Sequence, residues 1–214
     1  MRPNQQLIEL WTNAAEMYEK NYVGSPADEY MQSRGIDTGT AVEFGLGYVK
    51  EEAPGHDDRF RNMLSIPYHT PNGVVGFKFR HIDGREPKYL APAGQKTHLF
   101  NVGAIIRSVQ KIVIVEGELD AIAAESVGFP AVAVGGTQSW KPHFSRCFDG
   151  LGKIIICTDN DAKADGSNPG QELARKLSDV LPQAIRVSLP AGHDINSTIQ
   201  TYGAEHFTKL VEAV

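Results

Sequence analysis

KIVIVEGELD (residues 111–120) and KIIICTDND (residues 153–161) decide the fold of this chain. Each begins as an unbroken apolar run and ends in a pair of acids, Glu116 with Asp120 and Asp159 with Asp161. Runs without polar alternation are buried on both faces, as strands of a parallel sheet between helices are. The acids therefore stand where the strands leave the sheet, which is where open α/β sheets place their ligand crevice. Four carboxylates at neighbouring strand ends repel one another unless a cation lies between them. An all-oxygen donor set suits one or two hard divalent ions, Mg²⁺ or Mn²⁺. That combination points to phosphoryl-transfer chemistry.

The local geometry of each acid follows from spacing. In EGELD the chain passes straight from strand to helix, and Gly117 permits the tight turn. Asp120 lies one helical turn beyond Glu116 and points back to the same crevice, with Glu118 between them expected to face solvent. In TDND a period of two puts Asp159 and Asp161 on one side of the chain, where they hold one ion jointly or bridge two. Asp194, in LPAGHD, also follows a strand; its position fits a site residue and a helix N-cap equally well. Gly135-Gly136-Thr137 fits either a backbone anion cradle or a plain tight turn. No G-x-x-x-x-G-K-[ST] or G-x-S-x-G stretch occurs, which argues against a P-loop ATPase and an α/β-hydrolase.

Around these motifs the second half alternates strands (112–115, 131–134, 153–158, 184–189) with helices (118–127, 140–148, 169–180, and 194–213 broken at Gly203). The expected fold class is α/β there and α+β overall. The first half is a mixed α+β subdomain. Helices are expected at 4–21 (with Pro3 as starter), 25–35 and 38–44, followed by a GLGYV strand, a polar loop at 51–58 and a hairpin across Asn72-Gly73. Residues 86–100 read as irregular. A composition shift near residue 108 divides the chain into 1–108 and 109–214.

Charge is distributed unevenly. Net charge is −5, yet residues 59–110 carry eight Lys/Arg against two Asp/Glu, so a basic block precedes the acidic one. Two cysteines without C-x-x-C spacing and seven scattered histidines give no zinc site and no disulfide framework. No apolar run reaches membrane-span length and no signal segment is visible, so the expectation is a cytoplasmic protein without membrane partners.

The acidic turn E-G-x-x-D, the G-G-T turn and the D-x-D strand end, in that order, resemble the TOPRIM domain over roughly residues 110–202. Upstream, RFRNMLSIP (59–67), NGVVGFKFR (72–80), KYLAP (88–92) and THLFN (97–101) resemble the DnaG-type bacterial and phage primase catalytic core, as do YMQSRGI (30–36) and FGLGY (44–48). The resemblance implies a four-stranded, mostly parallel sheet and a divalent-metal site. Glu116, Asp159, Asp161 and Asp194 would be metal ligands. Glu116, Asp120, Asp159 and Asp161 would form the catalytic set. It also implies that Arg59, Arg61, Arg80 and Lys88 line a cleft and handle nucleotide and template.

The implied activity is nucleotidyl transfer making short RNA primers from NTPs on single-stranded DNA, with a replicative helicase as partner. The family's Cys-rich zinc module has no counterpart in these residues, a pattern that either a small phage primase or a primase whose zinc module sits on another polypeptide would show. Two other readings of the same acids are a metal-dependent nuclease and a non-catalytic module that binds single-stranded DNA or a replisome protein.

Overall fold

The chain folds as two units, Met1–His98 and Leu99–Val214, in a computed structural model that describes residues 4–51, 58–108 and 110–214. Of the expected features, Pro3 and most of the polar loop at 51–58 lie outside the described residues.

In the first unit, polar caps set the helix starts. Asn4, Ser25 and Asp37 each accept a hydrogen bond from a first-turn N–H, opening α1 (Gln5–Lys20), α2 (Pro26–Ser33) and α3 (Thr38–Glu43). An antiparallel sheet follows in the order β1 (Gly47–Tyr48), β2 (Met63–Thr70), β3 (Gly73–His81), β4 (Tyr89–Leu90). The hairpin turns where Asn72-Gly73 places it. The stretch expected to be irregular instead contributes β4, because Tyr89 and Leu90 pair with Arg80 and Phe79 on the otherwise open edge of β3. An aromatic cluster joins helix to sheet. Tyr18 meets Phe77 and Phe79 edge-on at 5.9 and 6.0 Å, and Phe60, from the 3-10 turn Asp58–Phe60, stacks on Phe79 at 4.0 Å.

The second unit opens with Leu99 and Phe100, which is why the division falls ahead of residue 108. Phe100 bridges to Ala133 by paired backbone hydrogen bonds, and a short helix not anticipated from sequence, α4 (Gly103–Arg107), follows it. Then come β5 (Lys111–Val115), α5 (Glu118–Ser126), β6 (Ala131–Ala133), a 3-10 helix Pro142–Phe148, β7 (Lys153–Ile156), α6 (Pro169–Val180), β8 (Ile185–Arg186), α7 (Ile195–Tyr202) and α8 (Ala204–Glu212). The four strands are all parallel, in the order β6-β5-β7-β8.

That order fixes where the helices lie. From β5 the chain moves one place outward to β6, then returns across β5 to β7 and on to β8. Right-handed crossovers put outward and returning connections on opposite faces. Accordingly Ile112, Ile114, Ile154 and Ile156, spaced by two, pack with Phe144, Phe148, Leu173 and Leu177 from the 3-10 helix and α6. On the other side α5 packs on β5, β6 and α7, and α7 on α8. Both faces are covered, as the unbroken apolar runs require. Among the described residues no helix is long and apolar enough to cross a membrane.

Phe148 is fully buried in this core and stacks near Trp140, with 6.2 Å between ring centroids. Phe148→Ala should lower stability by about 3–5 kcal/mol. Urea unfolding followed by circular dichroism checks this, and a loss below about 1 kcal/mol would contradict the packing described.

Candidate active site

The strand order has a switch point between β5 and β7, since connections leave these neighbours in opposite directions. Crevices in doubly wound sheets open at such points, outside the carboxyl ends of the strands. β5 and β7 pair in register through Ile114↔Ile156, so Glu116, two residues on, is level with Thr158, and Asp159 follows immediately. The structure therefore brings both acidic motifs to one edge of one sheet.

Three loops at that edge are tied together through backbone groups. The N–H groups of Gly135 and Gly136 both donate to the Glu116 carbonyl, at 3.0 and 3.1 Å. They hold the E-G-x-x-D turn, so of the two alternatives for this Gly-Gly pair the tight turn is the one observed. Asn160, between Asp159 and Asp161, donates its N–H to His193 O at 2.9 Å, and its Nδ2 donates to Leu189 O at 2.7 Å. Gly192 N–H returns to Asn160 O at 2.7 Å. Asn196 N–H donates to Asp120 Oδ1 at 3.3 Å, linking the starts of α5 and α7.

Each acid has a distinct setting. Asp120 is buried in the first turn of α5. Glu116 and Asp159 are half-buried and Asp161 is exposed. Asp194 is the N-cap of α7, its Oδ1 accepting from Ser197 N–H at 2.6 Å while Ser197 Oγ accepts from the Asp194 N–H. The N-cap role left open by the sequence is thus filled, with one carboxylate oxygen engaged by the helix.

Glu118 is 0% exposed, not solvent-facing. Residues 118–124 of α5 are all buried, because the helix is hemmed in by the sheet and by α7 and keeps no polar stripe in its first turns.

The donor chemistry fits a hard divalent ion. Carboxylate oxygens line the edge, and the nearby thiol is unsuited to compete. Burial pushes the Cys157 thiol well above its ordinary pKa, and the charges of Asp120 and Asp159 push it further. Among the described residues no three His, Cys, Asp or Glu side chains already stand close enough together to enclose an ion. Glu116, Asp159 and Asp161 are the residues that would hold one, with Asp120 behind them.

The basic residues belong to the first unit and fall into two settings. Arg59 and Arg61 line a cavity of about 410 Å³ together with His81 and Arg85, which the sequence reading did not single out. Their only sequence signal was their place in HIDGR, directly after the hairpin. Asp58 and Glu51 lie on the same cavity and pair with Arg61, at 2.9 and 3.8 Å. Arg80, by contrast, is 6% exposed. Its guanidinium lies over the rings of Tyr30 (5.2 Å) and Tyr89 (4.9 Å) and donates to the Tyr89 hydroxyl. Tyr89 is its cross-strand partner in β4, so the pairing that creates β4 also sequesters Arg80. Lys88 is exposed one residue before.

Comparison with known proteins bears on family and fold. A TOPRIM-like family model matches residues 113–199. The gene 57 protein of Mycobacterium phage D29 is 37% identical over 151 residues, covering 68% of this chain and 95% of that protein. The DNA primase of Staphylococcus aureus strain COL is 32% identical over 196 residues, which is 86% of this chain but 32% of the primase, so the chain spans about a third of that relative's length.

Among solved structures, the zinc-binding and RNA polymerase domains of the Aquifex aeolicus primase superpose with a TM-score of 0.79 at 22% identity, over 99% of this chain and 62% of that one. A DnaG primase catalytic domain bound to single-stranded DNA superposes with a TM-score of 0.78 at 23% identity, over 98% of this chain and 81% of that one.

Two glycines make the site's dependence on backbone testable. A Cβ on Gly170, at the start of α6, would lie 2.2 Å from the Asp159 carbonyl oxygen, so Gly170→Ala must displace the D-x-D turn. A Cβ on Gly117 would meet only the movable end of the Asp120 side chain, at 2.8 Å. Calorimetric Mn²⁺ titration should show Gly170→Ala weakening divalent binding by roughly 10–100-fold, the size of a lost supporting contact. Gly117→Ala should weaken it less. The reverse order would contradict the placement of Asp159.

Proposed function

The chain belongs to the DnaG-type, TOPRIM-bearing primase family, and from that premise we propose that it is a nucleotidyltransferase that makes short RNA primers on single-stranded DNA. The observation that carries the proposal is the convergence of E-G-x-x-D and D-x-D on the switch point between β5 and β7. An α/β sheet presents a bound phosphate there, and carboxylates at that edge serve metal-assisted displacement at phosphorus. The single-stranded DNA in one structural neighbour supports the choice of template.

In the proposed reaction the 3′-hydroxyl oxygen of one nucleotide attacks the α-phosphorus of an incoming NTP. A P–O bond forms to that oxygen, the bond to the β-phosphate oxygen breaks, and pyrophosphate leaves. A divalent ion at this edge would lower the charge on the phosphates and acidify the attacking hydroxyl. Asp159, Asp161 and Glu116 are the residues that would hold it. Asp120, buried and fixed by the Asn196 N–H, sets the position of the E-G-x-x-D turn. Asp194 keeps the third loop in register through its cap, and its placement beside the turn of Asp159 and Asp161 is the ground for assigning it to the ligand set.

In the first unit, Arg59 and Arg61 offer planar, forked donors to phosphate oxygens, with Arg85 and His81 on the same cavity. Lys88 adds an exposed charge for template or nucleotide. Arg80 contributes by holding Tyr30 and Tyr89 in place as well as by its charge. A zinc-binding module, such as the Aquifex aeolicus neighbour carries, and a replicative helicase complete the proposed assembly.

The test supplies the purified chain with single-stranded DNA, NTPs, Mn²⁺ or Mg²⁺ and a DnaG-type zinc-binding module. Oligoribonucleotides should form only with NTPs and a divalent ion. Asp159→Asn should lower their yield on the order of 100-fold or more, as loss of one preorganised electrostatic contact does. DNA cut without NTPs would replace the proposal by the nuclease reading. Undiminished synthesis by Asp159→Asn would remove the assigned role of the acid.

A further inference from the structure

A row of three rings lies on the second unit and begins in the loop that carries Asp194. The His193 and Tyr202 centroids are 5.2 Å apart at an interplanar angle of 62°, and those of Tyr202 and His206 are 5.0 Å apart at 34°. Tyr202 ends α7 and is 48% exposed, with exposed Thr201, Gly203 and Ala204 around it. The ring is therefore displayed, not buried, although a tyrosine carries enough apolar surface to favour a core or an interface. His193 Nδ1 is buried without a hydrogen-bond partner among the described residues, and its ring lies against Tyr202.

The row is joined to the acids. The His193 carbonyl accepts from the N–H of Asn160, which separates Asp159 from Asp161. The loop that carries the first ring is thus hydrogen-bonded through its backbone to the D-x-D turn.

We infer that Tyr202, flanked by His193 and His206, is a stacking platform for an unpaired nucleobase attached to a phosphate bound at the acids of β5 and β7. The inference rests on the nucleotidyl-transfer reading of those acids. Base–aromatic stacking tolerates every base, which suits an enzyme that must accept any sequence. Tyrosine, with two side-chain torsions, loses little entropy on being covered. A purely structural Tyr202 would instead only brace the corner between α7 and α8, and its loss would carry no base dependence.

The experiment measures binding of the whole chain, with Mn²⁺, to a labelled oligothymidylate and to an abasic oligonucleotide of equal length, by fluorescence anisotropy. Tyr202→Ala should weaken the oligothymidylate complex roughly tenfold and leave the abasic complex unchanged. Tyr202→Phe should bind both probes as the unaltered chain does. Tyr202→Leu, which keeps apolar bulk at the corner, should show the same base-dependent loss if Tyr202→Ala proves poorly folded by thermal melting.

Equal loss on both probes, or no loss on either, overturns the inference. Competition by ATP against inorganic tripolyphosphate separates the two sources of the base. Loss of the ATP advantage in Tyr202→Ala assigns the platform to the nucleotide, and its retention assigns it to the strand. Failure of these assays while Asp159→Asn still abolishes primer synthesis removes the platform and leaves the catalytic reading intact. Primer synthesis surviving Asp159→Asn removes the catalytic reading itself.

Discussion

The in-register parallel pairing of β5 with β7 is the constraint on which everything else depends. It brings two acidic motifs, distant in sequence, to one sheet edge, an arrangement suited to metal and phosphate chemistry. The apolar strands do the complementary work: with both faces sealed by helices and the 3-10 segment, their ends cannot drift.

Precision at the edge comes from backbone hydrogen bonds in the loops. Glu116 is held through its carbonyl by two glycine N–H groups, Asp120 by the Asn196 N–H, and the D-x-D turn by three bonds through Asn160. Two carboxylates are themselves fasteners: Asp120 accepts from the Asn196 N–H, and the cap of Asp194 to Ser197 fixes α7 and occupies one of its oxygens. The same division of labour holds in the first unit, where Arg80 is built into a tyrosine pair while Arg59 and Arg61 face a cavity.

Much of this was legible in sequence, because it depends on local rules. Two apolar runs, the turn at Asn72-Gly73, the cap at Ser25 and the break at Gly203 each declare themselves within a few residues. What was not legible depends on partners far away in the chain. The exposure of Glu118 was misread because the burial of α5 comes from α7, more than seventy residues on. The sequence leaves Gly135-Gly136 open between an anion cradle and a tight turn, because their acceptor, Glu116, lies on another loop. β4 exists only because β3 offers an edge, and that pairing in turn buries Arg80. His81 and Arg85 became candidates only once the cavity brought them to Arg59 and Arg61.

The central claim is that Glu116, Asp159 and Asp161 together bind divalent ions at the β5–β7 edge. Electron paramagnetic resonance of Mn²⁺ titrated into the whole chain tests it directly, because bound Mn²⁺ loses the sharp signal of the free ion whether or not any reaction follows. The account predicts one or two bound ions at the unaltered edge, and their loss in the double variant Asp159→Asn, Asp161→Asn with the fold retained. No binding by the unaltered chain, or undiminished binding by the double variant, would contradict it.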